Sequence, residues 1–185
     1  LSGENENAIC KEFRTLIGRS YIPPKWAFGL AQSRWGYKTE EDVREVARQY
    51  KEHDLPLDMI CMDIEYMQDY ADFTVNKERF PDLAKLSADL KAQGIRLVPI
   101  IDAGVRIDPN DPTCTEGLEK GYFCKKADGT PFVAAVWPGK AYFADFLRPE
   151  VREWFGHKYK ALTDCGIEGF WNCLLYTSDA ADEAR

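Results

Sequence analysis

The sequence lacks the features that mark several broad classes of protein. Its six cysteines form no Cys-x-x-Cys pair, and its two histidines, His53 and His157, have no partner at metal-ligand spacing. It contains no run of about 18 apolar residues, the length that a membrane-spanning helix needs, and its start does not resemble a signal peptide. The sequence therefore predicts no metal, no membrane partner and a reducing, cytoplasmic location.

Clusters of basic residues are absent as well. The formal net charge is −7 and the isoelectric point is near 5.0. Binding to a nucleic-acid backbone depends on grouped lysines and arginines that neutralise phosphates. We therefore expect no nucleic-acid partner.

What is present is an alternation of strand-like and helix-like segments. Of the 185 residues, 45% are hydrophobic, which is typical of a globular protein with one core. Helix signals include Thr39 as an N-cap and Gly94 and Gly166 as stops. The predicted strands are 26–33, 57–63, 96–105 and 167–172, with predicted helices between them and a short connecting helix before the first.

Two interruptions of this alternation carry information. Pro99 falls inside the third predicted strand, where it cannot donate a hydrogen bond, so we expect a bulge or an unpaired position there. Residues 106–147 are too long for an ordinary loop between a strand and a helix. We call them the excursion, and we expect them to lie over the mouth of a barrel.

The alternation itself fits either an open doubly wound sheet or a (β/α)₈ barrel cut near its middle. No Gly-x-Gly-x-x-Gly motif follows the first predicted strand, which weakens the dinucleotide-binding interpretation. The sequence accordingly predicts no cofactor.

Polar and aromatic residues gather where each predicted strand ends. In a barrel these ends share one rim, which is where active sites lie. Carboxylates accept hydrogen bonds from sugar hydroxyls, and indole faces cover the apolar C–H face of a sugar ring. Composition alone does not establish the ligand, and a carbohydrate is the first hypothesis among small polar ligands. The segments concerned are 34–37, 63–66, 102–104 and 171–172.

Several motifs, in this order, resemble glycoside hydrolase family 31, the retaining α-glucosidases and their relatives. They are PPKWAFGLAQSRWGY, LDMICMDIEYM, DFTVNKERFPD, GIRLVPIIDAGV, AAVWPGKAYFADF and GIEGFWN. The resemblance covers about Ile22 to Asn172 and implies an α/β fold, the first half of a (β/α)₈ TIM barrel with about four strands and three helices. It implies that residues 1–22 connect to a missing N-terminal β domain and that 23–172 form the N-terminal half of the catalytic barrel.

The resemblance also implies roles for six residues of a sugar pocket. Asp63 would hydrogen-bond hydroxyls of the sugar that is cleaved, and the others would shape the walls around it. From the residues alone, Ile64 and Ile100 fit core packing equally well, and Asp102 fits a structural role slightly better than a pocket role. An acid–base pair of Asp63 and Glu65 is a weaker interpretation, because nothing in the sequence makes their environments differ. The six implied residues are Asp63, Ile64, Trp35, Ile100, Trp137 and Trp171.

The bond-breaking residues that the family uses are predicted to be missing. The family places its catalytic aspartate directly after Trp171-Asn172, where this chain has Cys173, and its acid/base aspartate farther downstream. Retention requires two carboxylates about 5–5.5 Å apart. We therefore expect an inactive fragment of a retaining, exo-acting α-glucosidase that hydrolyses terminal α-linked glucose.

Other interpretations of the parent protein remain open on sequence grounds. An α-xylosidase, an α-galactosidase or a sulfoquinovosidase of the same family would share these motifs. A non-catalytic carbohydrate-binding barrel is the alternative from another class. The parent's oligomeric state is also open, with a homo-oligomer among the candidates.

The last residues have a separate explanation. The stretch CLLYTSDAADE resembles the conceptual translation of a transposon-type sequencing adapter. We interpret residues 173–185 as a non-native tail. The alternative is a strand over 171–176 followed by a polar turn.

Overall fold

The computed structural model describes residues 2–18 and 21–173. The remainder of the predicted non-native tail, 174–185, lies outside the described residues. In chain order, the α-helices are α1 (Glu6–Ile17), α2 (Glu40–Glu52), α3 (Leu83–Ala92), α4 (Pro112–Glu119), α5 (Pro149–Lys158) and α6 (Lys160–Thr163). The strands are β1 (Ala31–Arg34), β2 (Met59–Met62), β3 (Arg96–Asp102), β4 (Gly104–Arg106), β5 (Val133–Val136), β6 (Gly139–Phe143) and β7 (Trp171–Cys173).

The main sheet is parallel, with the strand order β1-β2-β3-β7. Each step from one strand to the next passes through a helical crossover, so the helices cover the outer face, as in a barrel. The sheet curls into half of an eight-stranded barrel, and the predicted fold class is confirmed. In the described residues, no helix is both long and apolar enough to cross a membrane.

The helix that follows β1 begins where the sequence predicts. Thr39 accepts a hydrogen bond from the Asp42 backbone N–H at 3.3 Å, and the Asp42 carboxylate accepts one from the Thr39 N–H at 2.9 Å. This reciprocal capping box satisfies two N–H groups that would otherwise lack partners. Val43 and Ala47 then point into the core, as their spacing predicts.

The first predicted strand is wrong at its beginning. Residues Lys25–Phe28 form a 3₁₀ turn, and the strand starts only at Ala31. The Trp26 ring packs so closely on Gly169 that a Cβ there would lie 2.8 Å from the indole. This tertiary contact, together with the fixed φ of the preceding prolines, outweighs the strand preference of the apolar run.

The fourth strand also starts later than predicted, and Pro99 explains the delay. The Arg96 N–H donates to the Asp58 backbone carbonyl on the β2 side. Because the backbone N–H groups of successive residues in a strand point to opposite neighbours, the nitrogen of Pro99 points toward β7. Proline has no N–H to offer there, and pairing with β7 begins at Ile100. The predicted unpaired position is present, and it requires no bulge.

The excursion folds into a small subdomain of its own. Its antiparallel sheet has the order β4-β6-β5, and α4 packs beside it. The Phe123 ring stacks on Tyr142 with centroids 5.0 Å apart and meets Trp154 of α5 edge-on at 6.1 Å. These aromatic contacts attach the subdomain to the helical layer of the half barrel.

Candidate ligand-binding site

A pocket opens at the carboxyl ends of β1 and β2. It has a volume of about 360 Å³ and is lined by Trp35, Asp63, Ile64, Tyr70 and Trp137. We call it the rim pocket. Four of these residues were predicted from the sequence, and they come from distant segments: the loop after β1, the end of β2, and the β5–β6 turn of the excursion.

Asp63 lies where β2 ends and the chain turns into a short 3₁₀ helix, Ile64–Tyr66. Its Oδ1 accepts a hydrogen bond from the Ile64 backbone N–H at 2.8 Å, which orients the carboxylate. Asp63 and the buried Ile64 are the least exposed of the lining residues, and we call them the floor of the pocket. Because the strand has already ended, Asp63 and Glu65 do not share a strand face, and their environments differ.

Glu65 is only 4% exposed, and neither of its carboxylate oxygens has a hydrogen-bond partner among the described residues. Loss of hydration raises the pKa of Glu65, and the nearby negative charge of Asp63 raises it further. This burial could not be predicted from the sequence, since a glutamate beside a strand end is usually solvated.

A second pair of buried acids lies at the end of β3. Asp72 and Asp102 are each 4% exposed, and the Asp102 backbone N–H donates to Asp72 Oδ1 at 3.0 Å. Burial raises the pKa of Asp102 to about 6, with Asp63 contributing, and raises that of Asp72 well above its usual range. Sequence reasoning missed Asp72, whose only signal was its place in the DFTVNKERFPD motif. We call Glu65, Asp72 and Asp102 the strand-end acids.

Ile100 and Trp171 lie deeper than the rim pocket and do not line it. Ile100 is fully buried in β3, and its carbonyl accepts a hydrogen bond from the Tyr66 hydroxyl at 2.7 Å. The half-buried Trp171 donates from Nε1 to the Met62 carbonyl at 3.1 Å. Both residues fix the relative positions of strand ends within the half barrel.

Position 173 is the neighbour of Asp102 across the sheet. Cys173 pairs in register with Asp102, so the two side chains point to the same face of adjacent parallel strands. Such strands lie about 4.8 Å apart. Whatever side chain occupies position 173 is therefore next to a buried acid at the barrel rim.

The chemistry of the rim pocket suits a neutral, hydroxyl-rich ligand. Its lining combines exposed indole rings, one aliphatic side chain and one carboxylate, and no basic side chain lines it in the described part of the chain. Phosphate ligands call for basic groups or backbone N–H clusters, whereas sugars use acceptors beside aromatic faces.

A parallel half barrel with acids and aromatic rings at its strand ends has the arrangement of a barrel enzyme. The family model "Glycosyl hydrolases family 31 TIM-barrel domain" matches residues 20–174. The chain belongs to glycoside hydrolase family 31.

Named relatives agree with this assignment. The chain is 47% identical over 171 residues to Alpha-glucosidase 2 of Bacillus thermoamyloliquefaciens, covering 92% of this chain and 22% of that protein. It resembles the family 31 α-glucosidase structure of Bacteroides thetaiotaomicron with a TM-score of 0.82 and 35% identity, over 90% of this chain and 28% of that one. A glucose-bound family 31 dextranase of Flavobacterium johnsoniae gives a TM-score of 0.86 at 27% identity, over 98% and 23% of the two chains.

Proposed function

We propose that this chain supplies one side of the glucose pocket of a retaining, exo-acting α-glucosidase. The observation that carries the proposal is the rim pocket, which Asp63 lines together with the exposed rings of Trp35 and Trp137. The α-glucosidase names of the relatives support glucose as the sugar. The chain spans 22% of the length of the first of them, so the parent's activity rests on regions outside it.

Recognition of the sugar follows from hydrogen bonding at the floor and contact at the walls. A carboxylate has several acceptor sites, so Asp63 can accept from sugar hydroxyls while it also caps the 3₁₀ helix through Oδ1. The indole rings of Trp35 and Trp137 offer faces to the C–H groups of the pyranose. Ile64, which is buried beside Asp63, excludes water from the floor.

Bond cleavage is a separate matter, and we propose that this chain does not perform it. A retaining mechanism needs a carboxylate that attacks the anomeric carbon and a second acid about 5–5.5 Å away. The family resemblance assigns the first role to position 173, which is Cys here, and the second to a position beyond the chain. A thiolate would not supply the lasting negative charge that stabilises an oxocarbenium-like transition state as a carboxylate does.

Glucose titration of the purified chain tests the binding proposal. Asp63→Asn removes the charge at the pocket floor and should weaken glucose binding at least tenfold, measured by saturation-transfer NMR. Asp82→Asn is the matched control, because Asp82 also caps a helix through its carboxylate but lies away from the pocket. Equal affinities for all three proteins would contradict the role of Asp63.

Three further measurements test the catalytic part, the choice of sugar and the identity of residue 173. The purified chain should release no p-nitrophenol from p-nitrophenyl α-glucoside, and measurable turnover would contradict its proposed inactivity. Competition with xylose, galactose and sulfoquinovose should leave glucose as the tightest ligand.

Resequencing the source gene across codon 173 should show an aspartate codon, whereas another residue would favour a non-catalytic carbohydrate-binding barrel.

A further inference from the structure

Tyr70 lines the rim pocket but belongs to none of the roles described so far. It is 40% exposed, beside Trp35 at 69% and Trp137 at 60%, so three large aromatic side chains face solvent around one opening. They come from three separate loops. Large aromatic side chains that stay exposed do not contribute the stability that their burial would bring. Where several of them converge from separate loops, they mark a binding surface.

The backbone at Tyr70 is held in an unfavourable conformation. Its φ is 61°, and Asp69 and Phe73 on either side have φ values of 49° and 63°. For side chains other than glycine, asparagine and aspartate this region costs about 1–2 kcal/mol per residue. Such strain persists only where the surroundings impose it, and it is concentrated at ligand-binding sites.

The surroundings that impose this conformation are visible. Arg106 forms an ion pair with the Asp69 carboxylate at 3.4 Å, and Thr74 Oγ1 donates to the Ala71 carbonyl at 2.6 Å. Asp72 is anchored to β3 through the Asp102 N–H, and the buried Phe73 ring meets Phe155 edge-on at 5.0 Å. Asp69 is thus held by an ion pair and the residues after Tyr70 are buried, while Tyr70 itself lines the pocket.

The depth of each side chain distinguishes the part of the ligand that it can contact. Asp63 and Ile64 form the floor, where the terminal sugar of an exo-acting enzyme would lie. Tyr70, at 40% exposed, lies between the buried floor and the more exposed Trp35 and Trp137, on the way from the terminal sugar to solvent that the rest of an oligosaccharide would follow. Its ring provides an apolar face for a second sugar, and its hydroxyl can donate or accept a hydrogen bond.

We propose that Tyr70 is a specificity residue that contacts the second sugar, on the leaving-group side of the terminal glucose. This inference rests on the proposed function of the rim pocket. Tyr70 then determines how much tighter an α-linked disaccharide binds than glucose alone, while Asp63 determines the affinity for glucose.

Calorimetric titration of the full chain with glucose and with maltose tests this assignment. Tyr70→Asn and Tyr70→Gly both remove the ring and tolerate a positive φ, so both should fold. Each should weaken maltose binding more than glucose binding and so reduce the preference for maltose by about 2- to 10-fold, the value of one aromatic contact. Tyr70→Phe keeps the ring and should retain most of the preference.

The control and the contradicting outcomes are distinct. Phe132→Ala removes another exposed aromatic side chain of the excursion that does not line the pocket, and it should change neither affinity. An unchanged preference in the Asn and Gly variants, or an equal loss for both sugars, would overturn the role of Tyr70. Failure of the unmodified chain to bind either sugar would overturn the proposed function, and this inference with it.

Discussion

The acids at the strand ends and the acids on the helices of this molecule are in opposite electrostatic environments. On the outer surface, Glu116 accepts hydrogen bonds from Lys120 and Lys158, and these partners lower its pKa to about 2. At the barrel rim, burial raises the pKa of Asp102 to about 6, with Asp63 contributing. The first arrangement favours the charged carboxylate, and the second disfavours it.

This difference separates acids whose charge is compatible with a stable fold at neutral pH from acids whose charge opposes it. Ion pairs on the helices are compatible with stability at neutral pH, although each exposed pair contributes little. A buried carboxylate with an unpaired oxygen, such as Asp102 Oδ1, lowers stability at neutral pH, because its charge must be desolvated. The strand-end acids therefore oppose folding at neutral pH, and none of the three lines the rim pocket.

The largest expected effect is on the pH dependence of stability. A carboxyl whose pKa is raised on folding stabilises the protein below its unfolded pKa, near 4, and that stabilisation is lost as pH rises through its folded pKa. We expect the free energy of unfolding to fall between pH 4.5 and 7, with Asp102 accounting for about 2 kcal/mol. Urea unfolding followed by tryptophan fluorescence measures this difference.

Two variants separate the loss of stability between pH 4.5 and 7 from the loss below pH 4. Asp102→Asn should make the loss between pH 4.5 and 7 smaller, because the amide does not titrate. Glu116→Gln should leave that loss unchanged and reduce the loss below pH 4, where a carboxylate of lowered pKa becomes protonated. The comparison would be contradicted if Asp102→Asn changed only the loss below pH 4 and Glu116→Gln only the loss between pH 4.5 and 7.

A smaller effect is expected when the partner of the Asp102 backbone is changed. Asp72→Ala removes the acceptor of the buried Asp102 N–H and should lower the free energy of unfolding by about 1–3 kcal/mol at pH 7. Asp72→Asn keeps an acceptor oxygen and removes a charge that must be desolvated, so it should be neutral or stabilising. Equal destabilisation by both variants would show that the charge itself is required.

The smallest effect is expected on the helical surface. Arg48 pairs with Glu45 and Glu52 on the exposed face of α2. Exposed pairs gain little because water and salt screen them. Arg48→Gln should leave the urea midpoint unchanged within error, and a clear shift would mean that surface pairs matter more than is assumed here.

Features that depend on nearby residues could be predicted from the sequence. The Thr39 cap of α2 depends on residues three positions apart, and the leucines of α3 follow helical spacing. Asp63 could be placed at a strand end because a carboxylate follows an apolar run. Trp35 could likewise be placed at a strand end, within 34–37, whereas Trp137 was predicted only from the family resemblance.

Features that depend on distant contacts could not be predicted. The pairing of β4 with β6 joins segments far apart in the sequence, and nothing local specifies it. The burial of Glu65 follows from the turn after β2, whereas glutamate is ordinarily a surface residue. Tyr70 carries no sequence signal of its own, because its exposure results from the anchoring of its neighbours.

The measurement that tests the comparison most directly is a ¹³C NMR titration of the side-chain carboxyl groups in the folded chain. Asp102 should titrate near pH 6, and Glu116 near pH 2 in the same experiment. Both resonances titrating near pH 4 would contradict the claim that burial at the strand ends and ion pairing on the helices separate the two groups of acids.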